Sequence, residues 1–263
     1  KTQTCSSSSL ANEGKVFIRQ FGTSGEDISS DITLDNSGNI YLTGYTDGAF
    51  DGNKNSGNDD FFLVKYDPSG EKQWAKQFGS NGGDWARGIA IDTSENIILT
   101  GGTTGKLTGS KNLGSYDIFL VKYDSNGNIQ WTRQVGTSTV DDGHAVTTDS
   151  SDNIYITGRT WGGLDGSNKP NTCKHVTTVA GKVCSDIFLV KYGSDGEKQW
   201  TKQIVASSRE IAYGVAVDSV GNIYLTGYTS GTLEGINSGA NDIFLIKYSS
   251  DGTLQFREQF GST

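Results

Sequence analysis

Four near-identical stretches constrain this chain more than anything else in it: NIYLTGYT at 39–46, NIILTGGT at 96–103, NIYITGRT at 153–160 and NIYLTGYT at 222–229. The same neighbours recur around each, in the same order. DDFFLVKYD begins at Asp59, and DIFLVKYD, DIFLVKYG and DIFLIKYS begin at Asp117, Asp186 and Asp242. A short Gly-containing turn follows, then an aromatic segment: QWAKQFG, QWTRQVG, QWTKQIV or QFREQFG. An apolar segment comes next, DITLD, GIAID, AVTTD or GVAVD, and a turn leads back to the opening motif. The unit is about 57 residues long, a period that marks a repeat architecture.

Each segment is short, rich in Val, Ile, Tyr, Phe and Thr, and bounded by turn residues, which predicts four strands per unit. The turns DPSGE, DSNGN, GSDGE and SSDGT place Gly where a hairpin needs positive φ. In FLVKY, Phe119, Val121 and Tyr123 point one way and Leu120 the other, so neither face of the sheet is cleanly polar. A lone four-stranded sheet of this kind cannot hide both faces, whereas sheets stacked radially bury them against one another. The expected fold is therefore all-β, a β-propeller of four-stranded antiparallel blades. The apolar strand would be innermost, NIYLTG second, DIFLVKY third and QWxxQ outermost.

Four blades are expected, at about 23–79, 80–136, 137–205 and 206–261, after a polar leader over 1–14. KVFIRQFG at 15–22 is a fifth copy of the outermost strand. It could clasp a closed four-bladed ring or lie outside it, and the chain could equally be part of a larger ring. The leader favours closure.

These units resemble the bacterial SBBP-type β-propeller repeats. The residues that carry the resemblance are the W-x-x-Q-x-G runs at Trp74–Gly79 and Trp131–Gly136, the acidic Asp84 five residues on, and D-x-x-x-N-I-x-x-T-G at Asp92–Gly101. Val205 in place of the strand-ending Gly and Phe256 in place of Trp depart from the pattern. The resemblance covers almost everything from Lys15 to Thr263. It implies an exported or surface-associated propeller, in a family without one common activity.

The formal net charge of −8 argues against nucleic acid as partner, because phosphate binding needs a concentrated basic surface. No apolar run approaches the roughly 18 residues of a membrane span. With no Met, even at position 1, the sequence reads as a processed product or an excised fragment. Cys173 and Cys184 share one loop and are close enough in sequence to bridge it, which suits a secreted or cell-surface protein. Cys5 is left over in the leader, as a lipid-anchor cysteine or an unpaired one.

In a meander, the outer-to-next-inner connections and the long second-to-third loops emerge on one face of the ring. Those loops, roughly 45–60, 102–117, 159–186 and 228–242, make that face the expected ligand face. Each contains T-x-G-x-(L/F)-x-G, whose Phe50, Leu107, Leu164 and Leu233 are expected to pin the loop down. The third loop is longer and holds Trp161, Lys169, His175 and both cysteines. It is either a stapled specificity element or a tolerated insertion. A disulfide across it would contribute about 3 kcal/mol in the chain-entropy model.

One carboxylate precedes each inner strand: Asp27, Asp84, Asp141 and Glu210. Converging in a closed ring they could hold Ca²⁺, which takes six to eight oxygens. Alternatively, each caps its own loop, the reading favoured here. No other cofactor is required. Three positions on, the copies diverge into Ser30, Arg87, His144 and Tyr213. Of these, Arg87, His144 and Tyr213, with Trp85 and Trp161, are the candidate ligand residues, suited to a glycan or a protein ligand. Asp35, Asp92, Asp149 and Asp218 read as turn formers.

A non-enzymatic binding or interaction module is the leading expectation. The first alternative is a carbohydrate-active lyase or glycosidase using Asp141, Asp142 and His144. The second is a structural protein that self-assembles through edge strands.

Overall fold

The computed structural model describes residues 17–107, 109, 112–166, 184–205 and 208–262. The first blade runs β1 (Asp27–Leu34), β2 (Ile40–Thr46), β3 (Asp60–Tyr66) and β4 (Lys72–Phe78). The second runs β5 (Asp84–Ile91), β6 (Ile97–Thr103), β7 (Asp117–Tyr123) and β8 (Ile129–Val135). The third runs β9 (Asp141–Thr148), β10 (Ile154–Thr160), β11 (Asp186–Tyr192) and β12 (Lys198–Ile204). The fourth runs β13 (Glu210–Val217), β14 (Ile223–Thr229), β15 (Asp242–Tyr248) and β16 (Leu254–Phe260). Every sheet keeps sequence order and every strand pairing within a sheet is antiparallel. A 3-10 turn at Phe50–Gly52 is the one helical feature among the described residues, and no helix there is long and apolar enough to cross a membrane.

The core lies between blades. One face of blade 1 (Tyr41, Phe61, Leu63) packs on Ile97, Leu99, Phe119 and Val121 of blade 2. Ile98, Ile118 and Leu120 pack on Ile154, Ile156, Phe188 and Val190 of blade 3. Tyr155, Ile187 and Leu189 pack on Ile223, Leu225, Phe244 and Ile246 of blade 4. Stacked rings cross the first seam, Phe61 on Phe119 at 4.6 Å. At the rim, the outermost strands of the first three blades lay their aromatic residue on the turn glycine of the next blade: Trp74 on Gly127, Trp131 on Gly196, Trp200 on Gly252. That turn position has φ of 77–81° in all three cases, so glycine supplies both the conformation and the close approach.

The favoured four-bladed closure is not found. Among the described residues, blade 4 makes no packing with blade 1 comparable to that between successive blades. Residues 17–21 instead cover the rim of blade 1. Phe17 lies on Gly70, Arg19 donates to the Gly70 carbonyl (2.9 Å) and pairs with Glu71, and Phe21 packs on Phe50 and Tyr66. They take the place that an outermost strand of a preceding blade would take.

The long loops are held by a repeated clamp. Gln134 accepts from the Leu107 amide and donates to the Gly105 carbonyl (3.0 Å) and to Asp117 Oδ2 (2.8 Å). Gln77, Gln203 and Gln259 do the same for Phe50, Leu164 and Leu233, and these three and Leu107 are all buried as expected. The glutamine of QWxxQ therefore ties the outermost strand to the loop, and the apolar residue seals it.

The four carboxylates that precede the inner strands stay in their own loops. Asp27 accepts from Thr23 and Thr46, Asp84 from the Ser80 amide and hydroxyl, Asp141 from Thr137 and Thr160, and Glu210 from Ser208 and Thr229. The convergence on Ca²⁺ is not seen: among the described residues no three His, Cys, Asp or Glu side chains are placed to hold an ion. The physical reason is that hydroxyl and amide donors of the same blade, from the adjoining loop and from the end of the second strand, outcompete a shared axial site. Burial raises the Asp84 and Asp141 carboxyls and pushes Glu210 up to about 7.

Gln134→Ala would leave the buried Asp117 carboxylate and the Leu107 amide short of partners. It is expected to cost about 1–3 kcal/mol in denaturant unfolding, with faster amide exchange concentrated in the loop before β7. The Glu210 carboxyl binds its proton more tightly folded than unfolded, so its contribution to stability is present below about pH 4.5 and lost as pH rises through about 7. Glu210→Gln should therefore raise Tm relative to wild type at pH 8, with the difference vanishing near pH 4. A constant difference at both pH values would contradict this.

Candidate functional site

Each inner strand carries one β-bulge in its pairing with the second strand, and the residue left over is Ser30, Arg87, His144 or Tyr213. These are the four positions at which the repeat diverges. A bulge turns a side chain out of the alternation of the sheet, and here it turns one from each blade toward the axis. Together with Asp31 and Ala145 they line a cavity of about 360 Å³. The sequence carried a signal for the bulges in the glycine of every TG pair. A Cβ at Gly44, Gly101 or Gly227 would lie 1.9 Å from the carbonyl oxygen of Ile28, Trp85 or Ile211, so the bulge admits only glycine opposite.

Behind the cavity, Asp142 is fully buried and gathers three nitrogens. Arg87 Nε donates at 3.0 Å, Arg159 Nη2 at 3.3 Å, and His144 Nε2 stands 3.5 Å away, too far for a good hydrogen bond. Burial pushes His144 down to about 4, with Arg87 and Arg159 opposing the pull of Asp142, so the imidazole is neutral at pH 7. Its ring meets Tyr213 edge-on at 5.0 Å, and Tyr213 in turn leans on Tyr228 at 6.0 Å. Arg87 is thus anchored through Nε by a buried carboxylate, and its terminal nitrogens have no protein acceptor among the described residues. Asp31 accepts from the amides of Ile32 and Ile89, which holds its carboxylate at the cavity wall across the seam to blade 2.

Three of the five expected ligand residues, Arg87, His144 and Tyr213, meet in this cavity. Trp85 does not: it lies in the seam between blades 1 and 2, stacked on Tyr116 at 5.1 Å and edge-on to Tyr45. Trp161 follows β10 in the third loop, its amide bonded to the Val140 carbonyl, and is not among the cavity-lining residues. The Asp141, Asp142 and His144 set does not assemble either. Asp141 and Asp142 are consecutive in a strand and so face opposite sides, one toward its loop and one toward blade 2. Cys184 is disulfide-bonded, while Cys173, His175 and the lysines of the third loop lie outside the described residues.

Two contributors went unread in the sequence, Asp31 and Arg159. Each breaks an otherwise conservative register: Asp31 stands where other blades have Gly88, Ala145 and Gly214, and Arg159 where they have Tyr45, Gly102 and Tyr228. A second cavity of about 390 Å³ opens at the other mouth, among the inner-to-second turns. Its Asp35, Asp92 and Asp149 are spent on Asx turns, each accepting from the amide and side chain of the following Asn.

Comparison with known proteins agrees with this architecture. The chain is 27% identical over 201 residues to an uncharacterized WD repeat-containing protein, L264, of Acanthamoeba polyphaga mimivirus, covering 66% of this chain and 14% of that one. It is 26% identical over 164 residues to the regulatory protein FlaEY of Caulobacter vibrioides, covering 59% and 17%. It therefore spans about a sixth of the length of these curated relatives. Among solved structures, a protein of unknown function from Bacteroides caccae aligns with a TM-score of 0.44 at 7% identity, over 91% of this chain and 83% of that one. A GH43_12 protein from a capybara gut metagenome aligns with a TM-score of 0.44 at 11% identity, over 89% and 41%. The SBBP beta-propeller repeat matches four times, at residues 16–51, 73–106, 130–165 and 199–233, together more than half of the sequence, each match running from an outermost-strand segment into the first two strands of the blade that follows. By those four matches, in step with the four sheets, the chain belongs to the SBBP β-propeller repeat family.

Proposed function

We propose that this propeller is a non-enzymatic binding module, exported or displayed at the cell surface, that receives a saccharide at the channel mouth. The observation that carries the reading is the convergence of four bulge residues on one cavity. They are the side chains that the repeat leaves free to vary, and three of the four are Arg, His and Tyr. The cavity offers what a sugar uses. Arg87 can donate from its terminal nitrogens, Asp31 can accept hydroxyl protons on the lone pairs left over by the Ile32 and Ile89 amides, and half-exposed Tyr213 presents an aromatic face for the C–H face of a pyranose. Arg87 is held by Asp142 before any ligand arrives, which lowers the ordering cost of binding. The disulfide at Cys184 supports an extracytoplasmic site of action.

The test is a glycan array followed by calorimetry on the best binder. Arg87→Ala and Tyr213→Ala should each weaken binding about tenfold or more, equivalent to about 1.4 kcal/mol, and Trp161→Ala should leave it within about twofold. The reading fails if affinity survives both cavity substitutions, or if no glycan binds the folded chain. Release of a new reducing end from a bound glycan, abolished by His144→Ala, would favour a carbohydrate-active enzyme instead.

A further inference from the structure

Two sheet faces are left open, and they are the two halves of an interface the chain makes three times. On blade 4, Ile243 is 55% exposed, whereas Phe61, Ile118 and Ile187 at the same position are fully covered by the next blade. On blade 1, Ile32 is 58% exposed, whereas Ile89 and Val146 at its position are 6% and 8% exposed under the preceding blade. Ile28 and Leu34 extend the open patch on blade 1. Among the described residues, the exposed large apolar side chains are concentrated on these two blades and on residues 17–21.

Residues 17–22 and β16 are versions of one strand, FIRQFG and FREQFG. The first sits in the seat of a preceding blade's outermost strand yet pairs with no strand among the described residues. Charge decides which of the two fits that seat. Arg19 takes the position that Lys76, Arg133 and Lys202 take in the other outermost strands, and it bonds the Gly70 carbonyl and Glu71 as Arg133 bonds the Gly196 carbonyl and Glu197. At this position β16 has Glu258, which would face Glu71. All but one of the β16 residues are exposed, so it is the least held of the four outermost strands.

We propose that two copies of the chain pair head to tail. The open face of blade 4 in one copy covers the open face of blade 1 in the other, and residues 17–22 of the second copy replace β16 as the outermost strand of that blade. Arg19 keeps its bonds to the Gly70 carbonyl and Glu71, and Gln20 takes over the clamp that Gln259 makes to Gly231, Leu233 and Asp242. Backbone pairing to β15 gives residues 17–22 the strand partner they lack.

Sedimentation equilibrium on the wild-type chain up to about 100 µM should show a dimer, since a Kd in or below that range is readable there. Ile32→Asp and Ile243→Asp should each weaken association at least tenfold. Mixing those two variants should restore a dimer through the one intact pair of faces, which a symmetric face-to-face contact would not do. Phe17→Asp with Phe21→Asp should abolish pairing, and removal of residues 254–263 should leave it intact or tighten it. A monomeric wild type overturns the proposal, as would a dimer indifferent to Ile32 and Ile243. Pairing lost with residues 254–263 but kept in the Phe17/Phe21 variant would overturn the strand replacement, because β16 would then hold the seat.

Discussion

Every blade in this chain has two apolar faces, and no blade can satisfy both by itself. That constraint organises the rest. A four-stranded sheet carrying Phe61 and Leu63 on one side and Phe62 and Val64 on the other must be sandwiched. The repeat solves the problem by copying the sheet, so that the back of each copy is complementary to the front of the next. The rim glycine under each tryptophan sets the register of successive blades, and the buried rows of Ile, Leu and Phe supply the attraction. The same logic leaves an open surface at each end of the series, which is why residues 17–21 lie where they do.

A scaffold repeated this strictly leaves little room for individuality, and the structure locates that room narrowly. The Gln clamp, the loop-capping carboxylates and the Asx turns consume most of the polar side chains that recur. Such residues look functional in a sequence because they are charged and regularly spaced. Their hydrogen bonds stay within one blade, and burial without convergence makes them structural. The bulge residues are different. The bulge is a backbone feature secured by glycine on the partner strand, so the side chain it displaces makes no contact the fold requires. Ser, Arg, His and Tyr can therefore occupy equivalent positions without disturbing a blade.

The channel mouth joins these two regimes. Asp142 is a buried charge with no counterpart in the other blades, where Ile28, Trp85 and Ile211 stand at its position. An isolated buried carboxylate is costly, and Arg87 and Arg159 offset that cost while being oriented by it. The result is a rigid cationic side chain beside a neutral imidazole, at the point where four copies of one strand approach each other.

Read by itself, the sequence determined the fold class, the strand order within a blade, the loop pins and the positions of greatest individuality, because each is written as a period or as a break in one. It also contained the glycine that marks each bulge, though only the pairing register revealed what that glycine was for. Tertiary structure alone decided the rest. Whether Asp27, Asp84, Asp141 and Glu210 would meet depended on which donors lay within hydrogen-bond reach, and consecutive Asp141 and Asp142 were separated by the alternation of a strand. Ring closure, too, was beyond the repeat. The period specifies how one blade meets the next, but whether the last meets the first depends on the accumulated rotation between sheets and on which strand already occupies the rim of blade 1.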